Sequence, residues 1–191
     1  SLRGWSGIWA GLVALAGAGV AYRWFEEYKV RAGSAVDFND AYTHMIATRV
    51  DHPKELIGLG LVIFIVALIG GFYFTYRKNK KAGIPIWNQA SRKMLINLFI
   101  PLAAGAVIVL AFILRGDWIY ISPACLIFYG LALINGSKYT VSDIKYLGLT
   151  EVVLGSIGLF IEPGYGLYLW ALGFGVLHIV YGIIMWRKYD Q

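Results

Sequence analysis

The chain has 191 residues, a formal net charge of +6 and a positive mean hydropathy of +0.64. Hydrophobic residues make up 59% of it, whereas a soluble globular domain is typically about 45–50% apolar, so the composition excludes an ordinary soluble domain. The positive charge could suit a nucleic-acid-binding protein. In so apolar a chain we interpret it instead as an excess of Lys and Arg on one side of a membrane, with no nucleic acid as a partner.

Six long apolar runs, separated by polar connections, predict the fold class. A run of about 20 apolar residues matches the thickness of bilayer hydrocarbon, and backbone groups in lipid must be hydrogen-bonded within the chain, so each run should be a helix. We therefore predict an all-α, six-transmembrane-helix bundle that forms a single transmembrane domain over residues 1–191. The predicted spans are 4–25, 55–76, 94–114, 118–134, 147–161 and 167–186, with an external linker over 26–54.

The basic residues set the predicted orientation. The connection after the second span, Arg77–Lys81, carries four cations, and placing it in the cytoplasm puts both termini there too. Eleven of the 17 Lys and Arg residues then lie inside, as the positive-inside rule favours. Very short connections follow the third and fifth spans, so the spans should form three antiparallel hairpins.

The external linker carries apolar residues at helical spacing between Phe38 and Val50. They predict a surface helix on the membrane or on the bundle. The alternative is a lid over a ligand-binding site.

Glu151 and His178 are the two polar residues inside predicted spans that most need an explanation. A charge at the centre of a membrane helix costs roughly 2.5–3.5 kcal/mol on insertion scales, so each needs an explanation. If the last hairpin turns near Gly164, both lie about 20 Å below the turn, at similar depth. Small residues share their helix faces, which predicts close helix contact and a Glu151–His178 pair inside the bundle; these are Gly148, Gly155 and Gly158 in the fifth span and Ala171, Gly175 and Gly182 in the sixth.

Two interpretations of this candidate intramembrane polar pair stay open. It is a structural pair that fixes helix register, or it titrates during proton or ion coupling. One His and one Glu are too few ligands for a zinc site, and no HExxH or nucleotide-binding motif is present. We therefore expect no catalytic residues, no metal and no cofactor.

A second polar set is predicted at the cytoplasmic side. Asn97 and Asn135 are equally far along the chain from Gly116, so they should share a depth in the middle hairpin. This candidate cytoplasmic-side polar cluster comprises Asn97, Asn135, Lys138, Tyr139 and Asp143. It is either a solvated vestibule or interhelical hydrogen bonding beside an ordinary loop.

Partners are suggested by composition alone. The lipid bilayer is one, and a membrane or cytoplasmic protein is another. The Gly7–Gly11 GxxxG pattern suits either packing inside the bundle or a contact between two copies of the chain.

Three stretches, 74–81, 126–140 and 170–182, resemble an uncharacterised family of small six-span bacterial integral membrane proteins. The resemblance covers roughly residues 70–190. It implies a membrane protein, with the bacterial inner (cytoplasmic) membrane as the expected location, and implies no activity. We expect a non-enzymatic scaffold, regulatory or accessory subunit; the alternative is a small proton- or ion-coupled transporter or channel that uses Glu151 and His178.

Overall fold

The computed structural model describes residues 4–32, 53–81, 83, 85, 87–161 and 164–189. Over these residues it contains helices and no strand. The helices are α1 (Trp5–Ala32), α2 (Pro53–Lys81), α3 (Gln89–Arg115), α4 (Ile121–Gly136), α5 (Ile144–Gly158) and α6 (Gly166–Tyr189). Single 3₁₀ turns flank α4, and the middle of α6 is a π-helix over Ala171–Leu177.

Five of these helices are long and apolar enough to cross a membrane, which supports the all-α membrane class. The candidate spans are Trp5–Glu27, Glu55–Lys81, Gln89–Arg115, Trp118–Tyr139 and Gly166–Tyr189. The fifth predicted span coincides with α5, which has only 15 residues. That length is about 22 Å, shorter than the roughly 30 Å hydrocarbon core.

The first two helices are longer than predicted. α1 continues to Ala32 and α2 begins at Pro53, so helix extends into both ends of the predicted linker over 26–54, while the second candidate membrane span begins at Glu55 as predicted. α2 also runs through the basic connection to Lys81, because Lys and Arg are good helix formers and their charges favour a helix C-terminus. The surface helix predicted between Phe38 and Val50 lies outside the described residues.

Hydrogen-bonded caps define the ends of α3. The Asn88 side chain accepts a hydrogen bond from the Ser91 backbone N–H at 2.8 Å, as an N-cap should. Gly116 ends the helix in the left-handed conformation, with φ of 82°. This tight end turns the chain directly into α4.

The helices pack in a row in the order α2, α1, α6, α4 and α3. α5 packs on both α4 and α6. α1 and α2 are antiparallel. Near the start of α1, Trp9 donates a hydrogen bond to the Val66 carbonyl in the middle of α2, whereas Phe25, later in α1, packs beside Leu56 near the start of α2. The row leaves α2 and α3 at its two ends.

Glycines permit close contact between the backbones of α4 and α5. A Cβ on Gly130 would lie 2.5 Å from the Gly148 carbonyl oxygen, and a Cβ on Gly155 would lie 2.7 Å from the Pro123 carbonyl oxygen. Residues at these positions must therefore lack a side chain for the two backbones to approach.

The small residues of the two last spans make close helix contacts, but each set contacts mainly a different helix. In α6, Gly175 faces Leu15 of α1 and Gly182 faces Gly4 and Ile8 of α1. The glycines of α5 face mainly α4. The Gly7–Gly11 pattern packs on α6, inside the bundle.

Candidate functional site

Glu151 and His178 lie together in the most buried part of the bundle. Glu151 is 0% exposed and His178 is 4% exposed. His178 Nδ1 is 3.4 Å from Glu151 Oε1. α5 supplies the carboxyl group and α6 the imidazole.

Both ring nitrogens of His178 have hydrogen-bond partners other than Glu151. Nδ1 lies 3.0 Å from the Gly173 carbonyl oxygen, and Nε2 lies 2.9 Å from the Tyr129 hydroxyl. Because a carbonyl oxygen only accepts, Nδ1 carries the proton that it donates to Gly173. In the neutral ring Nε2 then accepts from the Tyr129 hydroxyl, so the imidazole is satisfied without the carboxyl group.

Glu151 differs from His178 in its hydrogen bonding. Within the described part of the chain, neither of its carboxyl oxygens has a hydrogen-bond partner. Its neighbours include Gly173 and, beside that glycine, Leu126, which is itself fully buried. An ionised carboxylate in such surroundings is costly to bury, because low-dielectric surroundings give it little stabilisation.

The π-helix and Gly173 together create this arrangement. The side chain of His178 reaches back five residues to the Gly173 carbonyl, within a segment whose turns are wider than those of an α-helix. A Cβ on Gly173 would collide with Leu126 and would lie 2.7 Å from Glu151 Oε2. Glycine is therefore required for the carboxyl group to lie against α6.

Aromatic rings enclose the imidazole. The Tyr129 ring centroid lies 5.4 Å from that of His178 and 5.2 Å from that of Phe174. Trp170 packs on Phe174 with centroids 4.6 Å apart.

One further buried hydroxyl, that of Tyr181, lies toward the C-terminal end of α6. Among the described residues it has no hydrogen-bond partner. Tyr181 follows His178 by three residues, so it lies about one turn closer to the end of α6 that bonds to Asp143.

The predicted cytoplasmic-side polar cluster divides into two parts. Asn135 Nδ2 donates to the backbone oxygen of Asn97 at 2.8 Å, and Asn97 Nδ2 donates to the Lys93 carbonyl at 2.8 Å, so the two side chains do not bond to each other. Lys138 and Tyr139 are exposed.

Asp143 forms the other part, at the start of α5. Lys188 Nζ donates to its Oδ2 at 2.7 Å, and the Tyr189 hydroxyl donates to the same oxygen at 3.0 Å. The hydrogen bonds from Lys188 and then Tyr189 lower the pKa of Asp143. This group therefore links the N-terminal end of α5 to the C-terminal end of α6.

Sequence reasoning missed Tyr129, Tyr181 and Gly173. A tyrosine hydroxyl well inside a predicted span was a usable signal, because buried hydroxyls need partners. The carbonyl of Gly173 gave no such signal, since only the π-helical geometry brings it to His178.

The described residues form an all-helical fold that is compatible with an integral membrane protein and that holds the side chains of Glu151, His178 and Tyr129 together in a buried group. No set of three or more His, Cys, Asp or Glu residues positioned to hold a metal ion is found in the described residues. Comparisons of the chain with protein-family models, curated proteins and solved structures gave no match.

Proposed function

We propose that this protein is a non-enzymatic integral membrane protein, acting as a scaffold, regulatory or accessory subunit for a membrane or cytoplasmic protein. It crosses the bacterial inner membrane six times with both termini in the cytoplasm. It belongs with the small six-span bacterial proteins that its sequence resembles. The partner is a second protein or another copy of this chain.

The observation that carries this proposal is the uneven packing of the row of helices. Only 11% of the residues in the apolar 18-residue stretch of α2 are buried, and only 6% of those in the corresponding stretch of α3. For the span that contains α4 the buried share is 39%. The outward faces are apolar, with Phe72 at 65% and Phe99 at 68% exposure. Lipid covers such faces, and a membrane helix of a partner can replace the lipid by close packing.

Site-specific photocrosslinking tests this proposal in native membranes. A photoreactive residue placed at Phe72 or Phe99 is expected to capture one defined protein, identified by mass spectrometry. The matched control is Val180, an exposed apolar position on α6 (47%). Adducts to lipid alone at both test positions, with repeated recovery of the protein alone from native purification, would contradict the proposal.

A second candidate function is favoured by Glu151. A buried carboxyl group without a hydrogen-bond partner is a group that can exchange a proton, and proton-coupled membrane proteins use such acids. Tyr129 bonds to His178, and the buried hydroxyl of Tyr181 lies about one helical turn beyond His178 in α6, so further polar groups accompany the acid. The protein would then be a small proton- or ion-coupled transporter or channel that uses Glu151 and His178.

Flux measurements in proteoliposomes distinguish the two functions. Under a pH gradient, coupling predicts proton-driven flux that Glu151→Gln and His178→Ala abolish. Thr150→Ala is the matched control, because its hydroxyl only bonds to the helix backbone of α5. Flux that is equal in all three variants would remove Glu151 and His178 from any transport role.

A further inference from the structure

A basic face at the C-terminal end of α2 forms no ion pair with an acidic residue of the described part of the chain. Arg77, Lys80 and Lys81 are exposed there. The sequence contains no Asp or Glu between Glu55 and Asp117. None of the three cations forms an ion pair within the described residues. Uncompensated positive charge at a membrane surface attracts anionic lipid.

Two tyrosines extend this face along the helix toward the apolar part of α2. Tyr73, Tyr76, Arg77 and Lys80 follow helical spacing and so share one side. Arg77 Nη1 donates to the Tyr73 hydroxyl at 3.4 Å, and its guanidinium lies 5.8 Å from the Tyr73 ring centroid. Tyrosine favours the headgroup level of a bilayer. The rings therefore lie about one turn closer to the hydrocarbon than the lysines do.

α2 also projects beyond its neighbour α1 at this end. Trp9 of α1 contacts Val66 and Gly70 of α2, and α1 begins at Trp5. From these contacts α1 continues about 6 Å to its start, whereas α2 continues about 16 Å from Gly70, or about 22 Å from Val66, to Lys81. An open notch at this end of α2 is lined by Tyr73, Tyr76, Arg77, Lys80 and Lys81.

We propose that this notch binds an anionic phospholipid. Arg77, Lys80 and Lys81 surround the headgroup phosphate, and Tyr73 and Tyr76 lie against the glycerol and upper acyl chains. We assign a lipid as the occupant because the order of the side chains along α2 matches the parts of a phospholipid. The cations lie at the level of the headgroup, and the tyrosines lie about one turn deeper, at the level of the glycerol and the upper acyl chains. The Tyr73 hydroxyl holds the Arg77 guanidinium on this face.

Native mass spectrometry of the detergent-solubilised full chain tests the site. The probes are phosphatidylglycerol and phosphatidylcholine with identical acyl chains. Lys80→Gln/Lys81→Gln should weaken phosphatidylglycerol binding roughly 25-fold, at about 1 kcal/mol for each cation. Arg23→Gln/Arg115→Gln is the matched control, since it removes the same charge from exposed positions elsewhere and should bind as the wild type does. Tyr73→Phe keeps every charge and should weaken binding several-fold.

Three results would overturn the proposal. The first is equal loss of phosphatidylglycerol in both double variants, which indicates a general charge effect. The second is equal affinity of the wild type for the two lipids. The third is complete displacement of the lipid by glycerol 3-phosphate, which would identify a soluble phosphate compound as the ligand.

Discussion

At the scale of single residues, the unequal hydrogen bonding of Glu151 and His178 is the main finding. Both were identifiable from the sequence, because ionisable residues in apolar runs are rare. Their relationship was not, because the partners of His178 are Tyr129 of α4 and a backbone carbonyl that a π-helix presents. Spacing along one hairpin carries no information about a third helix. The structure therefore satisfies the imidazole and leaves the acid without a partner among the described residues.

Replacing Tyr129 by Phe should destabilise the protein. The substitution removes the hydroxyl that bonds to His178 Nε2 and leaves a buried ring nitrogen unsatisfied, at a cost of about 1–3 kcal/mol. Thermal or denaturant unfolding in detergent measures the difference. Tyr120→Phe is the control, because that ring is 37% exposed. Equal stability of the two variants would contradict the Tyr129–His178 hydrogen bond.

Replacing Glu151 by Met should leave the free energy of unfolding unchanged or higher. Neither carboxyl oxygen is hydrogen-bonded within the described residues, and an unbranched apolar side chain fits the same space without the cost of a buried polar group. The same unfolding assay measures it. If the variant loses about 3–5 kcal/mol, the carboxylate is a structural partner of His178.

The Asp143–Lys188 interaction should give a pH-dependent part of the stability. Because the folded-state pKa of Asp143 is lowered, its contribution is complete above the ordinary pKa of an aspartate. It is lost as the pH falls through the lowered folded-state value. Unfolding measured over an acidic pH series should show a steeper decline for the wild type than for Asp143→Asn. Parallel curves would mean that Asp143 has no such linkage.

At the scale of elements, the existence of the helices and the contacts of α1 with α2 and of α3 with α4 were predictable from the short sequence separation of each pair, but the packing of α6 on α1 was not. The apolar runs gave the positions of the long helices because length and hydropathy depend on local sequence. The small residues indicated close packing, but each glycine fits whichever backbone passes beside it. Gly175 and Gly182 therefore pack on α1, although their spacing equally suited a contact with α5.

Gly148→Ala should separate α4 from α5. Its Cβ would lie 2.6 Å from the Gly130 carbonyl oxygen and 2.9 Å from a side-chain carbon of Ile134, so one of the backbones must shift. Overpacking of this kind costs about 1–3 kcal/mol. Gly71→Ala in α2 is the matched control, since nothing lies within 4 Å of its added Cβ. In unfolding experiments, the free energy of unfolding should therefore be lower for Gly148→Ala than for Gly71→Ala. Equal stabilities would contradict the close approach of α4 and α5.

At the scale of the whole molecule, α5 decides how the chain lies in the membrane. Five helices meet the length of a span, and α5 with its 15 residues carries Glu151. The glycine contacts with α4 place α5 within the bundle. If α5 crosses the membrane, both termini lie on the same side and the polar site is intramembrane. If it does not, α6 has the opposite orientation and the proposed topology is lost.

Cysteine accessibility in oriented membrane vesicles tests this crossing most directly. Cys125 is replaced by Ser, and single cysteines are introduced at Ser142, before α5, and at Tyr165, after it. The six-span bundle predicts that a membrane-impermeant reagent labels position 165 from the outside and position 142 only from the cytoplasmic side. Labelling of both positions from the same side would contradict the six-span bundle and an intramembrane Glu151–His178 site.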